Sequence, residues 1–192
     1  MRVSFTPVFT DNHPPVDPAI KELEDWCRRF HEQGLTPSFE GSSLGNLSFR
    51  PEKGKSSFII TASQLEMKDN LTADAFVRIH TCDSDRGIVR ASGTRKPSSE
   101  SMLHFEIYKA RSDINAIFHG HCAPILERAE EMNLAVTRRE EPFGSAALVR
   151  RVLEILEDHT FIVMKNHGFL ALGEDMESAG RLALRVHGEC LR

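Results

Sequence analysis

The segment His119-Gly120-His121 follows the apolar run Ile117-Phe118. Read as the exit of a strand, it puts residues i and i+2 on one face. Two imidazoles so placed can take adjacent corners of a metal polyhedron, or stand as two unrelated surface or hydrogen-bonded histidines. Asn166-His167-Gly168 sets a third histidine on a turn that Gly168 permits. Alone, such a histidine is more often structural, and it gains weight only by meeting the first pair in space. Lys96-Pro97-Ser98-Ser99-Glu100 has the marks of a helix N-terminus, where unpaired N–H groups and the positive end of the macrodipole attract anions. Glu100 there either complements the dipole or serves as a general base or a fourth metal ligand. Ser42-Ser43-Leu44-Gly45-Asn46-Leu47-Ser48 offers hydroxyls and amides that suit a phosphate, and reads equally as an ordinary turn.

The elements that must position these residues follow from the pattern. Residues 1–17 carry Pro7, Pro14 and Pro15 and read as an extended arm. Asp17-Pro18 reads as N-cap and first residue of a helix whose Ile20, Leu23, Cys27 and Phe30 share a face, with Gly34 as its stop. A hairpin is expected from 47–49 and 57–61, and a second pair from 76–80 and 87–91. Pro97-Ser98-Ser99 opens a helix to about Arg111. A strand over 114–119, a helix over 124–132 and a short strand over 134–137 come next. The stripe Leu148, Val152, Ile155 and Leu156 predicts an amphipathic helix over 146–158. Phe161–Met164 and Phe169–Leu172 are strands joined by the His167 turn, and a last helix runs from about Asp175 to Cys190. Nothing divides the chain, so residues 1–192 are expected to form a single α/β domain.

Composition narrows the functions. With 192 residues the chain is long enough for a substantial core. The formal net charge of −4 supplies no basic field for nucleic acid or an anionic membrane. No run approaches the roughly 18 apolar residues of a membrane span. Met1 to Phe9 lacks a basic region followed by an apolar run, so no signal peptide is expected and the cytoplasm is the expected compartment. Cys27, Cys82, Cys122 and Cys190 form no CxxC pair, which disfavours a zinc ribbon and a disulfide framework. Nine histidines stand against one Trp and one Tyr, an excess that suits metal binding or acid–base work without identifying a site. His104, one helical turn beyond Glu100, reads as structural.

Taken together, Gly93-Thr94-Arg95-Lys96-Pro97-Ser98-Ser99-Glu100, Ile107-Tyr108-Lys109-Ala110-Arg111, Asn115-Ala116-Ile117-Phe118-His119-Gly120-His121 and Asn166-His167-Gly168 resemble the class II aldolase/adducin family. The resemblance runs from about Trp26 to Ala183. It implies a three-layer αβα sandwich around a largely antiparallel sheet. It implies that His119, His121 and His167 bind zinc or another divalent metal, and that Glu100 is the acid–base residue and a further ligand. It implies that Ser43, Asn46, Ser63, Ser98 and Ser99 bind the substrate phosphate, and that the subunits form a homo-oligomer, a tetramer in most of the family.

The implied activity is a zinc-dependent aldolase that cleaves a small sugar phosphate, such as a ketose 1-phosphate. Three neutral imidazoles leave the metal its charge and open positions, so it would stabilise the enediolate formed when a carbon–carbon bond breaks. A metal-dependent sugar-phosphate 4-epimerase or a methylthioribulose-phosphate dehydratase is the alternative on the same scaffold. A non-catalytic binding module like the adducin head is the third. Two departures bear on the choice. Gln64 stands where the family has glycine beside the second phosphate loop, with Arg95 and Lys96 near enough in sequence to compensate. The stretch from His121 to His167 holds no tyrosine, whereas the aldolases use one from a neighbouring subunit as proton donor; Tyr108 reads as a packing residue.

Overall fold

The computed structural model describes residues 5–192; residues 1–4, the start of the expected arm, lie outside the described residues. In chain order the strands and α-helices are β1 (Thr6–Asp11), α1 (Ile20–Glu32), β2 (Ser38–Phe39), β3 (Ser42–Ser43), β4 (Asn46–Phe49), β5 (Phe58–Thr61), β6 (Phe76–Asp83), β7 (Ile88–Ser92), α2 (Ser101–Ala110), β8 (Ala116–Gly120), α3 (Ala123–Arg128), β9 (Ala135–Val136), α4 (Ala146–Leu153), β10 (Phe161–Met164), β11 (Gly168–Gly173) and α5 (Met176–Cys190). Nine strands form one sheet in the order β1-β7-β6-β5-β4-β8-β11-β10-β9. Its pairs are antiparallel except at the two edges, where β1 joins β7 and β9 joins β10 in parallel. The strands β2 and β3 make a separate two-stranded hairpin.

Helices flank the sheet on both faces. α5 packs on β8, β11, α1 and α3, while α2 packs on β6 and α4. α1 forms because Leu23, Trp26, Cys27 and Phe30 recur at helical spacing and are all buried. It starts two residues later than Pro18: Asp17 Oδ1 accepts from the Ala19 N–H at 3.0 Å, and the first helical residue is Ile20. Trp26 and Phe30 meet the Phe118 ring with centroids 5.8 and 5.4 Å apart. Removing Phe118 from this wholly buried contact should cost about 3–5 kcal/mol.

Three expectations need adjustment. Residues 6–11 of the expected arm form an edge strand, a position where Pro7 is tolerated because no neighbour needs its missing N–H. The helix expected from Pro97 begins only at Ser101, because Pro97 bridges Ala62 and the Lys96 carbonyl accepts from the Ser63 N–H at 2.9 Å. The helix expected to reach Asp158 ends at Leu153 and continues as turns, although Leu156 stays buried.

The sheet face under α2 carries polar side chains. Ser48 Oγ lies 2.8 Å from both His104 Nδ1 and the Tyr108 hydroxyl. Arg50 stacks on the Tyr108 ring and donates from Nη2 to the Tyr108 and Arg111 carbonyls, which satisfies the C-terminal end of α2. The sheet therefore presents an apolar face to α1 and a hydrogen-bonded face to α2, and the second leads to Glu100.

Candidate active site

The three middle strands of the site, β4, β8 and β11, are neighbours in the sheet. Register puts Asn46 beside His119 on one side and Leu170 beside His119 on the other. His119 is the penultimate residue of β8, and His121 leaves the strand end with its N–H bonded to the Leu35 carbonyl at 2.8 Å. His167 ends the turn between β10 and β11, where Asn166 takes the left-handed conformation at φ 56°. Glu100 occupies the N-cap position of α2, not its first turn, and its carboxylate is not used as a cap.

These placements bring the three imidazoles together. Ring centroids are 4.7 Å apart for His119 and His121, 5.0 Å for His119 and His167, and 5.1 Å for His121 and His167. One nitrogen from each lies within 4.8 Å of the others, a grouping able to hold a metal ion. Glu100 joins them: Oε2 lies 3.1 Å from His119 Nε2, and Oε1 lies 3.4 Å from His167 Nε2.

The protonation states follow from the surroundings. The His119 Nδ1 lies 2.8 Å from the Phe169 carbonyl, which can only accept, so Nδ1 carries the proton and Nε2 faces the cluster as a lone pair. Burial, then the facing His167, pushes His119 down to about 3. Burial, then His119 and His167, pushes His121 down to about 2. Neutral imidazoles are the ligand form. The His119 and His121 Nε2 atoms approach to 3.0 Å beside a carboxylate oxygen, an acceptor-rich array that a divalent cation would relieve. Among the described residues, buried Glu100 Oε1 and His167 Nδ1 have no hydrogen-bond partner. The donor set thus fits a divalent metal.

Gly168 makes this geometry possible. A Cβ there would sit 2.5 Å from the Gly120 carbonyl and 2.7 Å from His119 Cε1. Gly45 (φ +75°) plays the matching part on β8's other side, where a Cβ would meet the His119 carbonyl at 2.6 Å.

A cleft of about 640 Å³ opens beside the histidines. Ser43, Asn46, Ser63, Ser98, Ser99, Glu100, His119, His121 and His167 all line it, so the residues expected to bind metal, move the proton or hold phosphate reach one place. Their hydrogen bonds differ. Ser98 Oγ accepts from the Glu100 N–H at 3.3 Å, and Ser63 Oγ donates to the Lys96 carbonyl at 3.3 Å. Ser43 Oγ donates to the Leu65 carbonyl at 3.0 Å and accepts from Lys68 Nζ at 2.6 Å, so its hydroxyl is committed within the protein. Asn46 donates from Nδ2 to Glu100 Oε2 at 2.9 Å.

Gln64 and Lys96 also line the cleft, whereas Arg95 pairs with Asp74 at 2.7 Å on the outside. Gln64 holds φ 58°, the left-handed region that favours glycine. Phe39, Glu40 and Phe143 complete the rim and were not found from the sequence; a large aromatic in a polar loop was the one signal for the two phenylalanines. Tyr108 is buried against Ser48 and does not line the cleft. No helix among the described residues is long and apolar enough to cross a membrane.

Comparison with known proteins agrees with this geometry. Residues 21–190 match the family described as the Class II Aldolase and Adducin N-terminal domain. An L-fuculose phosphate aldolase of Methanococcus maripaludis is 33% identical over 98 residues, covering 44% of this chain and 53% of that protein. The chain thus matches about half the length of that relative. A 5-methylthioribulose-1-phosphate/5-deoxyribulose-1-phosphate aldolase of Rhodospirillum rubrum is 30% identical over 175 residues, covering 80% of this chain and 72% of that protein. Among solved structures, an L-fuculose 1-phosphate aldolase superposes with a TM-score of 0.73 at 23% identity, covering 93% of this chain and 85% of that one, a likeness of fold.

Proposed function

The chain belongs to the class II aldolase and adducin family, and from that premise we propose that it is a metal-dependent lyase that cleaves a small ketose 1-phosphate. In this reading His119, His121 and His167 hold zinc, with Glu100 as a further ligand until substrate arrives. The observation that carries it is the convergence of three imidazoles, two of them held neutral by burial, on one buried carboxylate in a single polar cleft.

When bound, the metal supplies Lewis-acid stabilisation of the negative charge left on the substrate oxygens as a carbon–carbon bond breaks. The chain does the rest. Glu100 Oε2 is engaged by Asn46, which leaves the buried Oε1 as the atom that takes or returns the proton at the reacting carbon. Ser98 and Ser99, in the turn that precedes α2, bind the phosphate together with Ser63 and the backbone around Ser43 and Asn46. Lys96, on the same wall, adds positive charge. Burial of Glu100 and His119 keeps bulk water from competing for the proton. Assembly into a homotetramer and residence in the cytoplasm belong to the same reading.

One observation favours a second reading. The only tyrosine of the chain is Tyr108, which is buried away from the cleft. The same residues in a neighbouring copy would present only that buried side chain, so they offer no tyrosine to take the hydroxyl proton as the aldehyde forms. A dehydration of a ketose phosphate, such as methylthioribulose phosphate, breaks no carbon–carbon bond and is the reaction this observation suits; a sugar-phosphate 4-epimerase remains the other alternative on the scaffold.

Purified protein, with zinc added and removed, should be screened against ketose 1-phosphates with products read by NMR. An aldehyde and a keto phosphate identify the lyase; water loss without an aldehyde identifies a dehydratase, and an inverted carbinol an epimerase. Glu100→Gln should lower the rate about 10²–10⁴-fold while zinc remains bound. Protein that takes up no divalent metal even after zinc soaking overturns the proposal. A bound metal without turnover, together with a tight protein partner, would point to a binding module.

A further inference from the structure

A buried cation stands behind the serine loop. Lys68 is only 2% exposed, and its ammonium meets three uncharged oxygens. Nζ donates to the Ser43 carbonyl at 3.2 Å, to the Leu44 carbonyl at 3.0 Å and to Ser43 Oγ at 2.6 Å. No ion pair joins it to a carboxylate among the described residues, and burial brings it down to about 8. A buried ammonium is costly to keep without an anion, so so close an approach to a ligand-lining loop calls for an account.

The peptide geometry supplies one. In a trans peptide the C=O of one residue and the N–H of the next point in opposite directions. Lys68 holds the Leu44 carbonyl, so the Gly45 N–H is turned away from Lys68. Gly45 lines the cleft and Lys68 does not. Gly45 is also pressed against β8, where a Cβ would meet the His119 carbonyl at 2.6 Å. Ser43 cannot donate its hydroxyl to a ligand without giving up the Leu65 carbonyl, which makes the Gly45 N–H a donor the loop can offer in its place.

The geometry points to Lys68 as a positioning residue for an anionic group of the substrate: it turns the Leu44–Gly45 peptide so that its N–H faces that group, and it sets a positive charge behind the same wall. This rests on the reading above that the substrate is a phosphate ester. Ser98, Ser99 and Lys96 line the same cleft and would bind the same group. Lys68 itself touches no substrate and acts through the loop.

The test uses the zinc-loaded full chain and inorganic phosphate as the probe. In the unaltered protein, phosphate should shift the Gly45 amide resonance saturably. Lys68→Gln retains an N–H donor without the charge. It should weaken phosphate binding at least tenfold by calorimetry and flatten its dependence on ionic strength, with zinc uptake unchanged. A Lys68 that merely braced the loop would leave the ionic-strength dependence as it was. Lys68→Gln that folds and binds phosphate as before overturns the inference, as does a Gly45 amide unmoved at saturating phosphate. If the variant does not fold, the Gly45 resonance of the unaltered protein decides. A protein that turns over a substrate but binds no phosphate refutes this inference and leaves the metal-dependent reading standing; failure to bind zinc, with phosphate still bound, does the reverse.

Discussion

Asn46 Nδ2 donates to Glu100 Oε2 at 2.9 Å, a contact between residues 54 positions apart. Asn46 begins β4 beside His119, and Glu100 precedes α2. The bond fixes which carboxylate oxygen faces His119 and which turns to His167. Replacing Asn46 with Ala should therefore reduce activity or zinc affinity about 10–100-fold, the usual cost of losing such an orienting partner. Asn46→Asp would set a second carboxylate against the first and remove the N–H that holds Oε2, so kcat/KM should fall further than in Asn46→Ala; equal losses in the two variants would contradict this orienting role.

Gly168→Ala tests the close approach beneath His119. The glycine does not hold a left-handed φ, so the backbone accepts alanine, and the strain lies in the 2.5 and 2.7 Å contacts. His119 must turn or β11 must move. We expect at least tenfold weaker zinc binding in a chain whose far-ultraviolet circular dichroism is unchanged. Wild-type zinc affinity in this variant would show that His119 is not held by that contact.

Stability of the metal-free protein should fall with acid. His104 is buried and held down to about 3 by burial, against about 6.5 in an unfolded chain. Between those values the unfolded chain takes up a proton that the folded one refuses. Stability is therefore complete above pH 6.5 and declines as pH falls, by about 1.4 kcal/mol per unit for each such histidine. His119 and His121 act in the same direction. Urea midpoints at pH 7, 6 and 5 should drop in that order, and a flat series would exclude neutral buried histidines.

Gln64→Gly relieves a left-handed residue at φ 58°. The exchange should raise stability by about 1 kcal/mol, whereas Gln64→Ala should change little because alanine meets the same backbone penalty. Equal denaturation midpoints for the glycine and alanine variants would refute the strain.

Much of this arrangement can be read from the chain. The paired strands around 47–61 and 76–91, the helices over 20–32 and 176–190 and the turn at Asn166 all have local signals in periodicity or turn chemistry. The pairing of His119 with His121 was legible through spacing, since i and i+2 on a strand share a face, whereas the place of His167 beside them came only from the family resemblance. Three things were not legible, and each depends on a distant partner. Thr6–Asp11 becomes a strand only because β7 presents a free edge. Glu100 stays outside α2 because Pro97 is tied to Ala62. Lys68, in the run Glu66-Met67-Lys68-Asp69-Asn70, looks like a solvated charge until the serine loop folds over it.

The parallel pairs sit at the sheet's two edges, and the histidine-bearing strand β8 lies between β4 and β11 in its middle. This position sets a timetable for the molecule's breathing. β1 and β9 can detach and rejoin without disturbing a ligand, so their amides should exchange with solvent by local fraying. The His119 amide should exchange only when the whole sheet comes apart. A metal held there is then lost through its own dissociation or through global unfolding, and never through the loosening of an edge.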